Sequence, residues 1–488
     1  MEYPSLLYTS GPSGHVLPED VFEDVKLNLF FSEEAFCAMR PLCPPEDIPV
    51  RQDFLKCFMD DPETVVRFAD MADTLETVRD LAEDYADARC EEERCFAFLN
   101  LSGQLLRFCA LAAKKPGRSC LLWDRFHDAF SALADSPELL EVSTACAEAT
   151  RRAEEVRTLG WQVAGDSLVL RGEIGENLTE TLLRCADELG LTDTEGAAAI
   201  SLRPATALLA AQSELYPEVF SAVTAFEKKY HDFYDPQILR YRAEMNFYLE
   251  AAGLMARLKK ARIPRAWPVL SQRRRLWIRS ARDISLLAKN EVEIIPNDVD
   301  FTEAEPFWYL TGANGGGKTT FLRCVGINVV LFLSGCPVAG ESAELWPVTN
   351  LFTHFPRDER SDSEGRLSEE QERVDEILSQ HGGDALILLN ETYSAASAED
   401  APRLTAVLAS SLADSGSFGL FITHQHALED SGIPFLSVVI DEDEANRRTF
   451  KIERRRGAAR SFAEDILKKY AMDRDSLLAR FGGKEETA

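Results

Sequence analysis

The chain has no CxxC pair, no uninterrupted apolar run of the roughly 18–20 residues that cross a bilayer, and a deficit of positive charge. Each shortage excludes something. The 11 cysteines are spaced irregularly, from Cys37 and Cys43 to Cys324 and Cys336, so buried free thiols are expected rather than a clustered metal site or a disulfide framework. Without a long apolar stretch no membrane span is expected. The start, Met1-Glu2-Tyr3-Pro4-Ser5, lacks the basic opening and apolar stretch of a signal peptide, and a soluble, cytoplasmic protein is expected. Lys and Arg number 53 against 82 Asp and Glu, a formal charge of −29. That balance argues against an extended cradle for DNA phosphates and leaves room only for a local basic patch.

What is present is an ordinary globular composition. The 488 residues are 45% hydrophobic and 28% charged, enough to bury large cores in two or three domains. From about Asp53 to Tyr248 the chain reads as successive helices. Pro62-Glu63 opens one, with proline in the first turn and acid at the positive dipole end. Leu75, Val78, Leu81 and Tyr85 then recur at helical spacing. Stretches from Leu99 to Ala113 and Leu121 to Ala153 continue the pattern, and one long helix is predicted from about Pro217 through Leu258. The alternation at Trp161–Val163 and Ser167–Gly172 predicts a short strand pair. After Pro264 short apolar runs alternate with helical stretches, the sign of a βα fold. Candidate strands are Phe307–Leu310, Ala385–Leu389, Phe418–Thr423 and Leu436–Ile440. The predicted division is therefore a helical part over 1–263 and an α/β part over 264–488.

The strongest local signal is Gly312-Ala313-Asn314-Gly315-Gly316-Gly317-Lys318-Thr319, which fits G-x-x-x-x-G-K-[ST] in full. With glycine usage at about 7%, chance supplies such a match in about one or two of a hundred chains this long. A candidate strand precedes it, and Thr320-Phe321-Leu322-Arg323 begins a helix that runs to about Ser334, where Gly335 and Pro337 stop it. Glycines let successive N–H groups turn toward a phosphate, and the helix adds its positive dipole end. Lys318 is suited to β- and γ-phosphate oxygens and the Thr319 hydroxyl to Mg²⁺. ATP and Mg²⁺ are the expected ligands.

Hydrolysis needs a second strand end carrying acid. Ala385–Leu389 runs into Asn390-Glu391-Thr392, so Glu391 is the candidate to orient or deprotonate the attacking water. Asn390 stands where an Asp usually supports Mg²⁺. It can accept a hydrogen bond from a metal-bound water but brings no charge, so slow turnover, or binding without turnover, is a competing expectation. The strand Phe418–Thr423 ends at His424, placed to contact the γ-phosphate or the water; His426 reads as a solvent-facing neighbour.

Together, Thr311–Arg323, Leu389-Asn390-Glu391 and Ile422-Thr423-His424 resemble the MutS family of DNA mismatch-repair ATPases. The resemblance is dense over about 285–430. Asn-Glu for Asp-Glu, followed by Thr392-Tyr393-Ser394-Ala395, is similar to a branch of short MutS-related proteins. The resemblance implies an α-helical core and lever domain followed by an α/β P-loop (ABC-type) ATPase domain. It implies that Ile295, in Ile295-Pro296-Asn297-Asp298-Val299, lies beside the adenine, and that Thr320 belongs to the nucleotide site. It also implies a homodimer through paired ATPase domains, in which Gly365–Gln371 crosses the interface and Ser368 meets the partner's γ-phosphate. Read from the residues alone, Ser368 is equally a helix N-cap followed by acids, and Ser361–Glu364 a loop. Arg51-Gln52-Asp53-Phe54-Leu55 is similar to the start of the family's helical core.

Departures from the family bear on function. Its mismatch sensors insert a Phe-x-Glu motif carried on an N-terminal domain, whereas Phe31-Ser32-Glu33 matches only those letters. No connector domain fits before the core and little room remains for a DNA clamp, so direct mismatch reading is not expected. Two basic clusters, Arg257 to Arg282 (with Trp267 and Trp277) and Arg447 to Arg460, suit either phosphate contact with stacking or pairing with the chain's own carboxylates. The expected function is accordingly an ATP-driven dimer acting on DNA, with a nucleotide-dependent protein-assembly switch or a pseudo-ATPase as alternatives.

Overall fold

The computed structural model describes residues 3–115, 117–157, 159–164, 167–174, 206–288, 293–355, 363–380, 383–393, 396–397, 399–424, 428, 431–441 and 447–455. The chain forms two compact units. One comprises Met1–Leu6 with Asp60–Asn246, the other Leu7–Met59 with Phe247–Ala488. In chain order the helices are α1 Asp20–Asp24, α2 Glu33–Met39, α3 Asp47–Met59, α4 Pro62–Ala86, α5 Glu91–Ala112, α6 Leu121–Ala134, α7 Pro137–Arg157, α8 Thr206–Leu215, α9 Pro217–Tyr230, α10 Arg240–Lys260, α11 Lys318–Leu333, α12 Ser363–Gln380 and α13 Asp400–Asp414.

Among the described residues the first unit is helical with a hairpin, β1 (Leu159–Ala164) antiparallel to β2 (Ser167–Ile174). Asp61 caps α4, its carboxylate accepting from the Thr64 amide and hydroxyl, with Pro62 in the first turn. The core is aromatic: Phe126 lies 4.7 Å from Phe130 and 5.0 Å from Tyr241, and Phe68 lies 4.9 Å from Trp123. Helix α5 is long and apolar enough to cross a membrane by length and composition, but it buries Phe98, Leu101, Leu105 and Phe108 within this unit. The single helix predicted from Pro217 to Leu258 is two helices, α9 and α10. Pro236 separates them: it offers no N–H and disfavours helical geometry at Asp235, whose carboxylate instead accepts from the Gln237 amide at 2.9 Å.

The second unit holds two sheets. The larger has six strands: β6 (Phe307–Thr311), β8 (Asn350–His354), β9 (Ala385–Asn390), β10 (Phe418–Ile422), β11 (Phe435–Asp441) and β12 (Arg447–Arg455), in the order β12-β11-β6-β10-β9-β8. All neighbours are parallel except β12, which runs antiparallel at the edge. Strands β6, β9 and β10 are buried along their whole length, as unbroken apolar runs in a parallel sheet should be. The smaller sheet orders β3 (Val269–Leu270), β7 (Ser342–Leu345), β4 (Arg275–Ala281) and β5 (Asn297–Thr302).

The units do not meet at a single cut near residue 263. Leu7–Met59 belongs with the α/β part, and long-range contacts explain why. Arg51 is fully buried and its Nε donates to the Leu7 carbonyl at 2.9 Å. Gln52 donates to the Pro268 carbonyl at 3.0 Å, and the Cys43 thiol to the Leu333 carbonyl at 3.3 Å. Arg323, in α11, donates to the Asp24 carbonyl, while Thr353 donates to the Asp24 carboxylate at 2.7 Å. The segment 51–55 thus packs against the α/β core rather than opening the helical unit. Phe31 is buried and stacks on Phe247, and Ser32 caps α2, so Phe31-Ser32-Glu33 is a packing and capping element.

Candidate functional site

The glycine loop leaves the carboxyl end of β6 and enters α11 at Lys318. Gly312 adopts φ 127°, and a Cβ there would meet Val438 of β11 at 3.0 Å. The neighbouring strand approaches so closely that only glycine fits. Gly317, with φ 97°, is the left-handed N-cap of α11. Between them the Gly316 amide donates to the Ala313 carbonyl at 3.1 Å, and Asn314 and Gly315 are exposed at the tip. Lys318 is only 5% exposed. Its ammonium donates to the carbonyls of Gly312 at 2.9 Å and Ala313 at 3.3 Å and to Asn314 Oδ1 at 3.3 Å. Burial draws its pKa down, and the Glu391 carboxylate opposes that fall. Thr319 and Thr320 are half-buried in the first turn of α11.

Strand register brings the remaining residues to this loop. Leu310 of β6 pairs with Ile422 of β10, and Ile422 pairs with Asn390 of β9. The residues following these three partners therefore emerge side by side at the carboxyl edge, where open α/β sheets bind ligands. His424 Nε2 lies 2.9 Å from Glu391 Oε1. That hydrogen bond, helped by the charge of Lys318, holds the Glu391 carboxyl below its usual range although burial pushes the other way. Glu391 adopts φ 56° and Tyr393 φ 65°. Left-handed backbone at non-glycine residues costs roughly 1–3 kcal/mol each and persists where the surroundings enforce it. The Glu391 amide donates to the Ile422 carbonyl at 3.0 Å, and Tyr393 is buried.

Beside the loop opens a cleft lined by Ala281, Ile295, Gly317, Thr320, Phe321 and Phe450 among others. Ile295 and Thr320 thus face one cavity contiguous with the loop. Phe450 (φ 57°) and Asp283 complete its wall without any motif to announce them.

The donor set suits Mg²⁺. Asn390 is 8% exposed, and its Oδ1 is a buried acceptor with no hydrogen-bond partner among the described residues. Such an amide oxygen is a neutral ligand of the kind that a hydrated, octahedral Mg²⁺ accepts. A carboxylate would hold the ion more strongly. Asn390→Asp is therefore expected to lower the Mg²⁺ concentration for half-maximal phosphate release, by about tenfold if one charge-assisted contact is gained; an unchanged MgCl₂ titration would remove Asn390 from the metal site.

Ser368 is exposed and lies within α12, five residues past its first residue; it is not the N-cap of that helix. Ser363 and Glu364, expected in a loop, begin α12, whereas Ser361, Asp362, Ser394, Ala395 and His426 lie outside the described residues. Several members of the basic clusters pair with acids of the same unit. Arg274 bonds Asp384 at 3.0 Å, Arg275 bonds Asp300 at 2.8 Å, and Arg454 pairs with Glu305. Lys56 lies over Trp267 and Arg275 over Trp277. Arg456 and Arg460 lie outside the described residues.

Residues 308–454, which contain the loop, Glu391 and His424, match the family model for MutS domain V. The chain carries a MutS-family domain. Residues of this chain are 29% identical over 163 positions to the DNA mismatch repair protein MutS of Thermus aquaticus, covering 33% of this chain and 20% of that protein. The MutS of Natronomonas pharaonis is 29% identical over 147 residues, covering 30% and 17%, and that of Dinoroseobacter shibae 31% identical over 183, covering 36% and 21%. The match thus spans about a fifth of the length of these relatives. It lies in the part of the chain that holds the MutS domain V, and the helical unit contributes none of the matched family model.

Proposed function

We propose that this MutS-family chain binds and hydrolyses ATP at a P-loop ATPase fold and works as a dimer, its helical unit acting as a lever on DNA. The observation that carries the reading is the strand row Leu310–Ile422–Asn390, which sets the glycine loop, His424 and Glu391 along one edge. The nucleoside occupies the cleft beside Ile295 and Thr320, and the phosphates lie on the loop amides and the α11 N-terminus. Lys318 supplies charge to the β- and γ-phosphate oxygens. Glu391, ionised and oriented by His424, accepts a proton from water as the water oxygen bonds to the γ-phosphorus and ADP leaves. Thr319 and Asn390 are the residues to hold Mg²⁺, which when bound neutralises charge between the β- and γ-phosphates. Ser368, exposed on α12, is the residue to reach a second copy's γ-phosphate.

A second reading, an assembly switch that binds protein rather than DNA, is favoured by the internal pairing of Arg274, Arg275 and Arg454 and the charge of −29. One experiment separates the two. A Glu391→Gln variant, expected to trap bound ATP, is measured by light scattering and by DNA-binding anisotropy with homoduplex, mismatched, branched and single-stranded DNA. ATP-dependent doubling of mass, with DNA affinity that falls steeply between low and high salt, is the expected result. Doubling without DNA binding selects the switch, and monomer mass with and without ATP rejects the dimer.

A further inference from the structure

A buried contact behind Glu391 has no place in the chemistry above. His354 ends β8, in register with Leu389 of β9, two residues before Glu391. His354 and Thr392 are each 2% exposed, and His354 Nδ1 lies 3.0 Å from Thr392 Oγ1. Thr392 sits between Glu391 and Tyr393, both left-handed and neither a glycine. Such a turn keeps its shape only when its neighbours over-determine it. The Glu391 amide, bonded to the Ile422 carbonyl, fixes the entry, and the buried Tyr393 ring fixes the exit. The Thr392 hydroxyl fixes the middle, and the imidazole it meets is anchored on the adjacent strand.

We propose that His354 is a positioning residue for hydrolysis: through Thr392 it holds the turn after β9 so that the Glu391 carboxylate meets His424 beside the glycine loop. The proposal rests on Glu391 acting as the base. A loosened turn would let the carboxylate swing from His424 while leaving the loop and the nucleoside cleft untouched, so turnover and binding should separate.

Thr392→Val keeps the side-chain shape and removes the hydroxyl; Thr392→Ser keeps the hydroxyl. Both are assayed for kcat, KM and ADP affinity. The ring ¹⁵N signals of the seven histidines are recorded alongside, with His424 assigned by His424→Asn. Thr392→Val is expected to cut kcat at least about tenfold with KM and ADP affinity within about twofold, the range expected when only transition-state positioning is lost. It should also shift the His424 signal toward its place in Glu391→Gln. Thr392→Ser should restore both, and His354→Leu combined with Thr392→Val should be no worse than either alone. Parent kcat together with a parent His424 signal in Thr392→Val would overturn the proposal. So would a loss of affinity in step with kcat that Thr392→Ser does not rescue. If Glu391→Gln itself turns over normally, the base assignment fails instead; the His424 signal in Thr392→Val, which needs no turnover, then still decides whether the turn is held by this bond.

Discussion

Glu391→Gln is expected to lower ATP hydrolysis by about a hundredfold to a thousandfold and keep ATP binding, the range expected when one positioned base is removed. The geometry makes the two effects separable. Glu391 touches His424 at 2.9 Å, whereas the proposed phosphate cradle consists of loop amides, Lys318 and the α11 N-terminus. Glutamine preserves the size and one acceptor oxygen but cannot take a proton. The pH profile carries the sign of the same group. The carboxyl is held below its ordinary 4.5, so the ionised base persists through neutral pH. Activity assigned to it is lost only as pH falls through its lowered value, below 4.5. A phosphate-release assay with a fluorescent-nucleotide titration reads both halves. Parent turnover in the variant would unseat Glu391 as the base, and an acid limb centred at neutral pH that persists in its residual activity would belong to another group.

The second large effect is at Lys318. Lys318→Ala is expected to weaken ATP binding by about ten- to a hundredfold, corresponding to loss of one charged hydrogen-bonding group, and to abolish measurable turnover. The side chain is nearly fully buried and donates to Gly312, Ala313 and Asn314, so its removal also frees the loop that shapes the cradle. Burial disfavours the charge, and the Glu391 carboxylate partly restores it; an anionic phosphate adds to that restoration. Calorimetric titration with ATP, checked against the variant's melting temperature, measures the loss. Unchanged affinity and rate would sink the phosphate site.

Much of this site was legible in the residues because it is made of short, contiguous signals. A fully apolar run before Gly312, a glycine and lysine pattern, and a helix stop at Gly335 specify strand, loop and helix within about 30 residues, the span of one βα unit. The predicted strands Phe307–Leu310, Ala385–Leu389, Phe418–Thr423 and Leu436–Ile440 agree with β6, β9, β10 and β11 to within a residue or so. The hairpin at 159–174 followed from period-two alternation. The strand β8 escaped notice, and with it His354, because Asn350, Thr353 and His354 leave only Leu351 and Phe352 of the unbroken apolar run that marks β6, β9 and β10.

By itself, then, the sequence determined the local elements and named the candidate reacting groups, since capping, glycine conformation and apolar periodicity act over a few residues. Tertiary structure alone decided three further things. It joined Leu7–Met59 to the α/β unit, because the partners of Arg51, Gln52 and Asp24 lie up to hundreds of residues away and no local pattern encodes them. It paired Arg274, Arg275 and Arg454 with Asp384, Asp300 and Glu305, taking these members of the two basic clusters into internal ion pairs. And it set Glu391 against His424 through the register of β9, β10 and β6. Parallel strands are distant in sequence, and which residue stands beside which is fixed only when the sheet assembles and buries both faces.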